Sequence, residues 1–319
     1  MENMRDNICT QGLIFDIQRF SLHGGHDVST LVFTKGCPLR CKWCSNPEGL
    51  HNHTDILWKQ EKCTGCGFCS MVCVKNAINE IGFGIRRELC DRCGACAKHC
   101  PSGAKSKCGE FKTPQEIVDM VKRDLTFCKN SGGGITMGGG EVLMQPQFTL
   151  ETLRYARKAG LGTAIETSGM GEWEWLDKIS DYCDTIYYDV KAMDKQLHKE
   201  LTGAGNDVIL SNLLMLNQKF SKLSEEKRPK LVIRLPLVEG YNDDQVNIEN
   251  IAKYLKINVP TLSHVEILPF HNFGEGKYNQ LDMTYQLKGR PNATKEAFSH
   301  LGANIRDQGI TVEIQQSQP

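Results

Sequence analysis

Eleven of the fifteen cysteines in this 319-residue chain fall between Cys37 and Cys100, in three runs. The first is Cys37-Pro38-Leu39-Arg40-Cys41-Lys42-Trp43-Cys44, a C-x3-C-x2-C spacing on one short loop. It follows Thr30-Leu31-Val32-Phe33, an apolar, β-branched run that predicts a strand. Soft thiolates set this close suit an iron–sulfur cluster. A [4Fe–4S] cube has four irons and the loop offers three ligands, so one iron stays open to a small molecule, as in a catalytic metal site. Trp43, just before the third cysteine, is a flat ring able to pack on a nucleobase. The plainer alternative is a three-cysteine zinc site completed by a distant ligand.

The second run is Cys63, Cys66, Cys69 and Cys73, and the third is Cys90, Cys93, Cys96 and Cys100 followed by Pro101. Both read C-x2-C-x2-C-x3-C, and the pair resembles a two-cluster bacterial ferredoxin. In those proteins the fourth cysteine of each run serves the other cluster. The resemblance therefore implies one cube on Cys63, Cys66, Cys69 and Cys100, and another on Cys90, Cys93, Cys96 and Cys73. Two structural zinc sites are the alternative, but those favour C-x2-C pairs separated by longer arms. We expect residues 52–110 to form this insert, with residues 1–51 and 111–319 making the main domain. So small a segment has little core of its own, and its clusters would hold it folded.

Composition narrows the remaining classes. Thirty-eight basic residues balance 38 acidic ones, so no charge footprint points to nucleic acid or an anionic membrane. No secretory signal is read in residues 1–12, and no apolar run approaches the roughly 18 residues of a membrane span. This many cysteines without a signal predicts metal binding in a reducing cytoplasm. Cys9, Cys108, Cys128 and Cys183 belong to no run and read as unliganded interior thiols.

Beyond the insert, strand-like and helix-like segments alternate, the pattern of an α/β fold. Thr113-Pro114-Gln115-Glu116 is a capping box that opens a helix. Strands are predicted near 135–137, 162–166, 185–190, 231–238 and 264–270, which with the strand before Cys37 makes six βα units. Chemistry in such folds collects at the C-terminal strand ends. One end carries Gly138-Gly139-Gly140-Glu141, where glycines admit close backbone approach and Glu141 would orient the strand or accept a ligand's ammonium. Asp189 and Lys191 share a strand face and read equally well as an ordinary ion pair. Arg234 lies in an apolar strand and needs a partner when buried. His271 follows the last strand, while His23 and His26 flank a Gly24-Gly25 turn and read as ordinary loop histidines.

The C-x3-C-x2-C loop with Gly139-Gly140-Glu141 resembles the radical S-adenosylmethionine (SAM) enzymes. The similarity is to their glycyl radical enzyme activating enzymes, and it runs from Ile14-Phe15-Asp16-Ile17-Gln18 through Cys44-Ser45-Asn46-Pro47-Glu48 and Leu201-Thr202-Gly203 to Gly276-Lys277-Tyr278. Locally, Gly138–Pro146 and Lys288-Gly289-Arg290-Pro291 are similar to the subgroup serving choline trimethylamine-lyase. The resemblance implies an incomplete, TIM-like (β/α)6 barrel bearing three [4Fe–4S] clusters, with SAM chelated by the open iron of the Cys37/Cys41/Cys44 site. It places Trp43, Gly139, Gly140, Glu141, Glu166, Thr167, Asp189, Lys191, Arg234 and His271 around SAM. Arg234 would make a bidentate contact with the SAM carboxylate, and Glu166, Thr167 and Asp189 would ligate a monovalent cation. Reductive cleavage would give methionine and a 5′-deoxyadenosyl radical that takes a hydrogen from a glycine of a partner glycyl radical enzyme. A flavodoxin or ferredoxin in the cytoplasm of an anaerobic or oxygen-limited cell would donate the electron. Two rivals are a radical SAM maturase acting on another protein residue and a plain iron–sulfur electron carrier. The family's usual His-Asp-Gly-Pro-Gly-Ile-Arg-Thr stretch is His23-Gly24-Gly25-His26-Asp27-Val28-Ser29-Thr30 here. That departure predicts a partner-facing loop at Gly24–Ser29 that governs partner choice and not SAM cleavage.

Overall fold

The computed structural model describes residues 10–23, 27–79, 83–124, 126–127 and 133–316. Its centre is one nine-stranded sheet. The strands are β1 (Gly12–His23), β2 (Asp27–Thr34), β5 (Glu110–Lys112), β6 (Gly134–Gly139), β7 (Gly162–Thr167), β8 (Thr185–Asp189), β9 (Lys230–Leu237), β10 (Leu262–Pro269) and β11 (Val312–Ile314), in the order β11-β10-β9-β8-β7-β6-β2-β1-β5. From β2 to β11 every neighbour is parallel, while β1 and β5 add antiparallel pairs at the other side. The sheet is thus the largely parallel α/β arrangement that the alternating pattern predicts, and the partial barrel is the form that the resemblance implies.

Both sheet margins are additions to the six expected units. β11 has only three residues, too few for a periodic signal, and β5 carries one large apolar side chain, Phe111, which is exposed. Ser29, expected in a loop, lies within β2, where it is buried and its hydroxyl accepts from the Gly134 amide at 3.4 Å. Asp27 and Val28 of the expected partner-facing loop also lie in β2, while Gly24, Gly25 and His26 lie outside the described residues, as do Cys9 and Cys128.

Local chemistry explains where the helices begin. Thr113 and Glu116 cap each other reciprocally at the helix Pro114–Lys122. Asp194 and Asp244 accept from the amides of Leu197 and Asn247 at the starts of helices Lys195–Thr202 and Gln245–Asn258. Two of these helices lay apolar stripes on the sheet: Ile117, Val118 and Val121 from one, and Ile248, Ile251 and Leu255 from the other, meet Ile135, Ile186, Ile233 and Val265 in a single core. No helix among the described residues is long and apolar enough to cross a membrane.

Residues 55–108 leave this sheet and form their own. β3 (Asp55–Trp58) pairs antiparallel with β4 (Lys105–Cys108), with short helices at Phe68–Met71 and Ala95–Lys98 between them. Their apolar centre is small: Ile56, Ile78 and Ile85 with the thiols of Cys69 and Cys96. Lys35 ties the two parts together. It is the first residue after β2, its side chain is fully buried, and its ammonium donates to Asp55 at 2.9 Å and to the Glu48 carbonyl at 2.5 Å. A buried cation needs such partners, and removing one leaves a charge in a dry site. Replacing Asp55 by alanine is therefore expected to cost about 3–5 kcal/mol, read as a lower urea midpoint. Lys35→Met leaves the buried Asp55 carboxylate, but that group still has His53 at 3.5 Å and His51 and Arg92 at 3.8 Å, so this change is expected to cost less.

A candidate active site at the strand ends

The amides of the cysteine loop hold it to carbonyls of two other segments. The Gly36 and Cys37 amides donate to the carbonyls of Gly49 and Leu50, and those of Arg40 and Lys42 to Thr202 and Leu201. The Arg40 guanidinium folds back onto the carbonyls of Cys37 and Leu39 at 2.6 and 2.7 Å. Beneath it runs the glycine segment at the end of β6. Gly139 has a φ of +113°, a conformation that disfavours a side chain, and a Cβ on Gly140 would fall 2.2 Å from the Gly36 carbonyl oxygen. The glycines thus let two backbones touch, and the Glu141 amide donates to the Gly36 carbonyl at 2.8 Å.

Together these elements enclose a cavity of about 270 Å³. Cys37, Cys41 and Cys44 line it with Trp43, Gly139 and Gly140. Glu166, Thr167, Asp189, Lys191, Arg234 and His271 complete its wall from the ends of β7 to β10. Burial pushes the three thiols up to about 12, about 12 and about 11 in that order. Dry thiols converging on one space become thiolates when a metal binds them. On the opposite wall the Nδ1 of His271 is buried without a hydrogen-bond partner, its ring stacked on Phe273. The donor set and this orphaned nitrogen fit an iron–sulfur cluster with a polar ligand beside it.

Glu141 is the exception among the residues predicted to touch the ligand, and it does not line the cavity. Its carboxylate is buried and accepts from Thr167 Oγ1 at 2.6 Å, Ser168 Oγ at 2.5 Å, the Ser168 amide at 2.8 Å and the Leu143 amide at 3.2 Å. With these donors around it, Glu141 braces the end of β7 and has no need of a ligand's ammonium. Burial nonetheless holds its acid above the usual carboxylate range.

Arg234 also differs from expectation. Its Nε donates to Glu266 at 2.8 Å and one terminal nitrogen to Glu166 at 2.6 Å, while the guanidinium stacks 3.8 Å from the Tyr187 ring centre. Two of its five N–H groups are thus committed to Glu266 and Glu166, and those of the other terminal nitrogen remain for a ligand carboxylate. Lys191 donates to Asp189 at 2.8 Å. Burial works against its charge, but Asp189 and the nearby thiols of Cys41 and Cys37 leave it more basic than an ordinary lysine.

Two buried residues escaped the sequence reading. Glu266 sits directly opposite Arg234 in the β9–β10 register, and an acid between Val265 and Ile267 was the available signal. Asn242 is wholly buried; its amide nitrogen donates to the carbonyls of Lys191 and Pro236 and its oxygen accepts from the Val238 amide. It joins the exits of β8 and β9, and no motif announces it. In the insert, Cys63, Cys66 and Cys69 line one small cavity with Cys100, while Cys73 lines another with Cys90, Cys93 and Cys96.

A family model describing the radical SAM superfamily matches residues 31–255, which includes the cysteine loop and five of the strand ends. This defines the class as a radical SAM enzyme, and the α/β partial barrel is its fold. Over 312 residues the chain is 39% identical to the choline trimethylamine-lyase activating enzyme of Oleidesulfovibrio alaskensis, covering 95% of this chain and 98% of that one. It is 34% identical to the 4-hydroxyphenylacetate decarboxylase activating enzyme of Clostridioides difficile, covering 95% and 96%. The chain belongs to the glycyl radical enzyme activating enzymes of the radical SAM superfamily. Among solved structures, Streptococcus suis SuiB bound to its precursor peptide SuiA shares the fold at a TM-score of 0.52 and 11% identity, covering 89% of this chain and 47% of SuiB.

Because Glu141 holds the Thr167–Ser168 corner from behind, Glu141→Gln should loosen the wall while sparing the cluster ligands. One lost buried acceptor corresponds to roughly a tenfold rise in KM for SAM. Iron content is expected to stay at the level of the unmodified protein.

Proposed function

We propose that this chain is an activating enzyme with three [4Fe–4S] clusters. In this reading residues 52–110 form a ferredoxin-like insert that passes electrons to the Cys37/Cys41/Cys44 cluster. The observation that carries it is the convergence of three half-buried cysteines, a glycine floor and an orphaned His271 nitrogen on one cavity. When bound and reduced, the cluster supplies the electron that splits SAM into methionine and a 5′-deoxyadenosyl radical, and that radical takes a hydrogen from a partner's glycine. The chain's own residues orient and enclose. Lys191, kept charged by Asp189, faces the thiolates and offsets their charge. Arg234 presents one nitrogen to a carboxylate, Trp43 and His271 flank the nucleoside, and Glu166, Thr167 and Asp189 offer oxygens to a monovalent cation. Glu141 acts through Thr167 and Ser168.

The separate β3–β4 sheet supports an insert distinct from the barrel. The grouping of Cys100 with the second cysteine run, and of Cys73 with the third, supports crossed ligand sets. We assign the donor as a small low-potential flavodoxin or ferredoxin, the compartment as an oxygen-poor cytoplasm, and the partner as a glycyl radical enzyme of the choline trimethylamine-lyase type. The full-length match to that activating enzyme and the runs Gly138–Pro146 and Lys288–Pro291 support this partner.

The test is anaerobic reconstitution, SAM, a low-potential reductant and candidate glycyl radical enzymes, with 5′-deoxyadenosine and the glycyl radical measured together. SAM cleavage with no radical on a choline trimethylamine-lyase but a strong signal on another glycyl radical enzyme would overturn the partner. Cleavage with no radical on any of them would overturn the activase reading. About twelve irons per chain are expected, four for each cube. Cys41→Ala should abolish 5′-deoxyadenosine, whereas Cys183→Ala, at a buried thiol off the cavity, should leave it near normal. Crossed ligation predicts that Cys73→Ala disturbs the cluster of the third run and leaves that of the second, read by electron paramagnetic resonance.

A further inference from the structure

The two halves of the insert repeat each other beyond their cysteines. Ala77 and Ile78 stand four and five residues after Cys73, and Ala104 and Lys105 stand four and five after Cys100. Both fifth positions are buried, Ile78 at 6% exposure and Lys105 at 2%. Ile78 lines the cavity of Cys73, Cys90, Cys93 and Cys96, and Lys105 lines that of Cys63, Cys66, Cys69 and Cys100. One half thus places an aliphatic side chain where the other places an ammonium.

The strand pair turns the Lys105 side chain towards the cysteines. Lys105 and Trp58 are register partners in β3–β4, and Ile56 lies two residues before Trp58 on the same strand. Register partners and alternate residues share one face of a sheet. Ile56 is buried with Cys69 and Cys96 and lines the Cys73 cavity, so this is the face that meets the cysteines. On it the Lys105 ammonium lies 5.3 Å from the centre of the Trp58 ring. The Lys105 amide donates to the Cys100 sulfur at 3.4 Å, and the Ala77 amide to the Cys73 sulfur at 3.3 Å. Two sets of four cysteines, each gathered on one cavity, fit two cubes. Lys75 and Asp91 also line the Cys73 cavity, but they are exposed and opposite in sign. Lysine is almost never fully buried without a reason, and Ile78 demonstrates that this fold accepts an apolar side chain at the equivalent place.

We propose that Lys105 sets the order in which the insert takes up electrons: its buried ammonium makes the cluster on Cys63, Cys66, Cys69 and Cys100 easier to reduce than the one on Cys73, Cys90, Cys93 and Cys96. Each cluster takes one electron from the low-potential donor, with no bond made or broken. That electron adds a negative charge, which a cation in a dry wall stabilises with little screening, and net charge and exposure are what set such potentials. The charge of Lys105 also reaches Cys96 of the other set. That cluster is therefore raised too, but by less, because Ile78 takes the lysine's place in its wall. The inference rests on the reading of the insert as a two-cluster module and is independent of the partner enzyme.

The test is a redox titration of the full reconstituted chain, followed by electron paramagnetic resonance, with the SAM cluster marked by its response to SAM. A unit charge about 10 Å from a redox centre, at an effective dielectric constant of about 20, changes the reduced fraction on the order of tenfold. Lys105→Met is thus expected to lower one insert midpoint by about 59 mV for one electron and the other by clearly less. Lys105→Arg keeps the charge and should hold both midpoints near their original values. Ile78→Lys, the reverse exchange, should raise the midpoint that Lys105→Met moves less. This rise is a readout that packing alone does not give, and it decides the matter even if Lys105→Met loses iron. Unmoved midpoints in Lys105→Met, equal shifts of both, or the same shift with arginine as with methionine would overturn the proposal. If the unmodified protein holds only about four irons and shows no insert signal, the two-cluster reading fails and takes this inference with it.

Discussion

Three cysteine thiols on one short loop are kept too dry to ionise by themselves, and the strand ends around them are arranged to meet that condition. Desolvation raises all three, so the loop gains its charge together with its metal. A site of this kind cannot depend on the cluster alone for its shape. Amides of the loop reach Gly49, Leu50, Leu201 and Thr202, and the glycines of β6 bring a second backbone against it. The barrel thus pre-forms the cradle, and the cluster has less chain to order when it binds.

Behind the cavity wall stands a second tier of fully bonded buried polar groups. Glu141 collects donors from β7, Asn242 links β8 to β9, and Glu266 shares Arg234 with Glu166. A buried polar group with all partners satisfied rigidifies its surroundings, and one left half-satisfied is costly. Groups that face the cavity are less saturated: His271 keeps a free nitrogen, and Arg234 keeps one terminal nitrogen. This division separates side chains that shape the site from those available to a ligand.

The division also explains what could be read before folding. Cysteine spacing is local, so the three runs stand out in the sequence, and in the structure three of these cysteines line the barrel cavity and eight line two small cavities of the insert. Strands β2 and β6 to β10 were legible because each holds a run of β-branched and apolar residues followed by a turn or loop signal. β5 and β11 were not, because three residues paired at a margin carry almost no pattern. Side-chain roles were harder. Glu141 lies in the expected motif yet turns away from the cavity, since its direction depends on Thr167 and Ser168 arriving from another strand. The Arg234–Glu266 pair is a cross-strand register effect, visible only once β9 and β10 are aligned.

The insert is attached in a way that bears on how such proteins diversify. Asp55 and Cys108 face each other as register partners in the β3–β4 pair. The chain therefore leaves the barrel and returns to it across a single strand spacing, about 5 Å. A segment with its two ends so close can be lengthened, shortened or exchanged without pulling the barrel strands apart. Two contacts resist such exchange: the buried Lys35 ammonium reads the presence of Asp55, and Arg87 of the module holds the Gln280 carbonyl and Asp282. A barrel that lost the module but kept this lysine would leave its buried ammonium with the Glu48 carbonyl and without the Asp55 carboxylate, so the lysine and the module are expected to be inherited or lost as one.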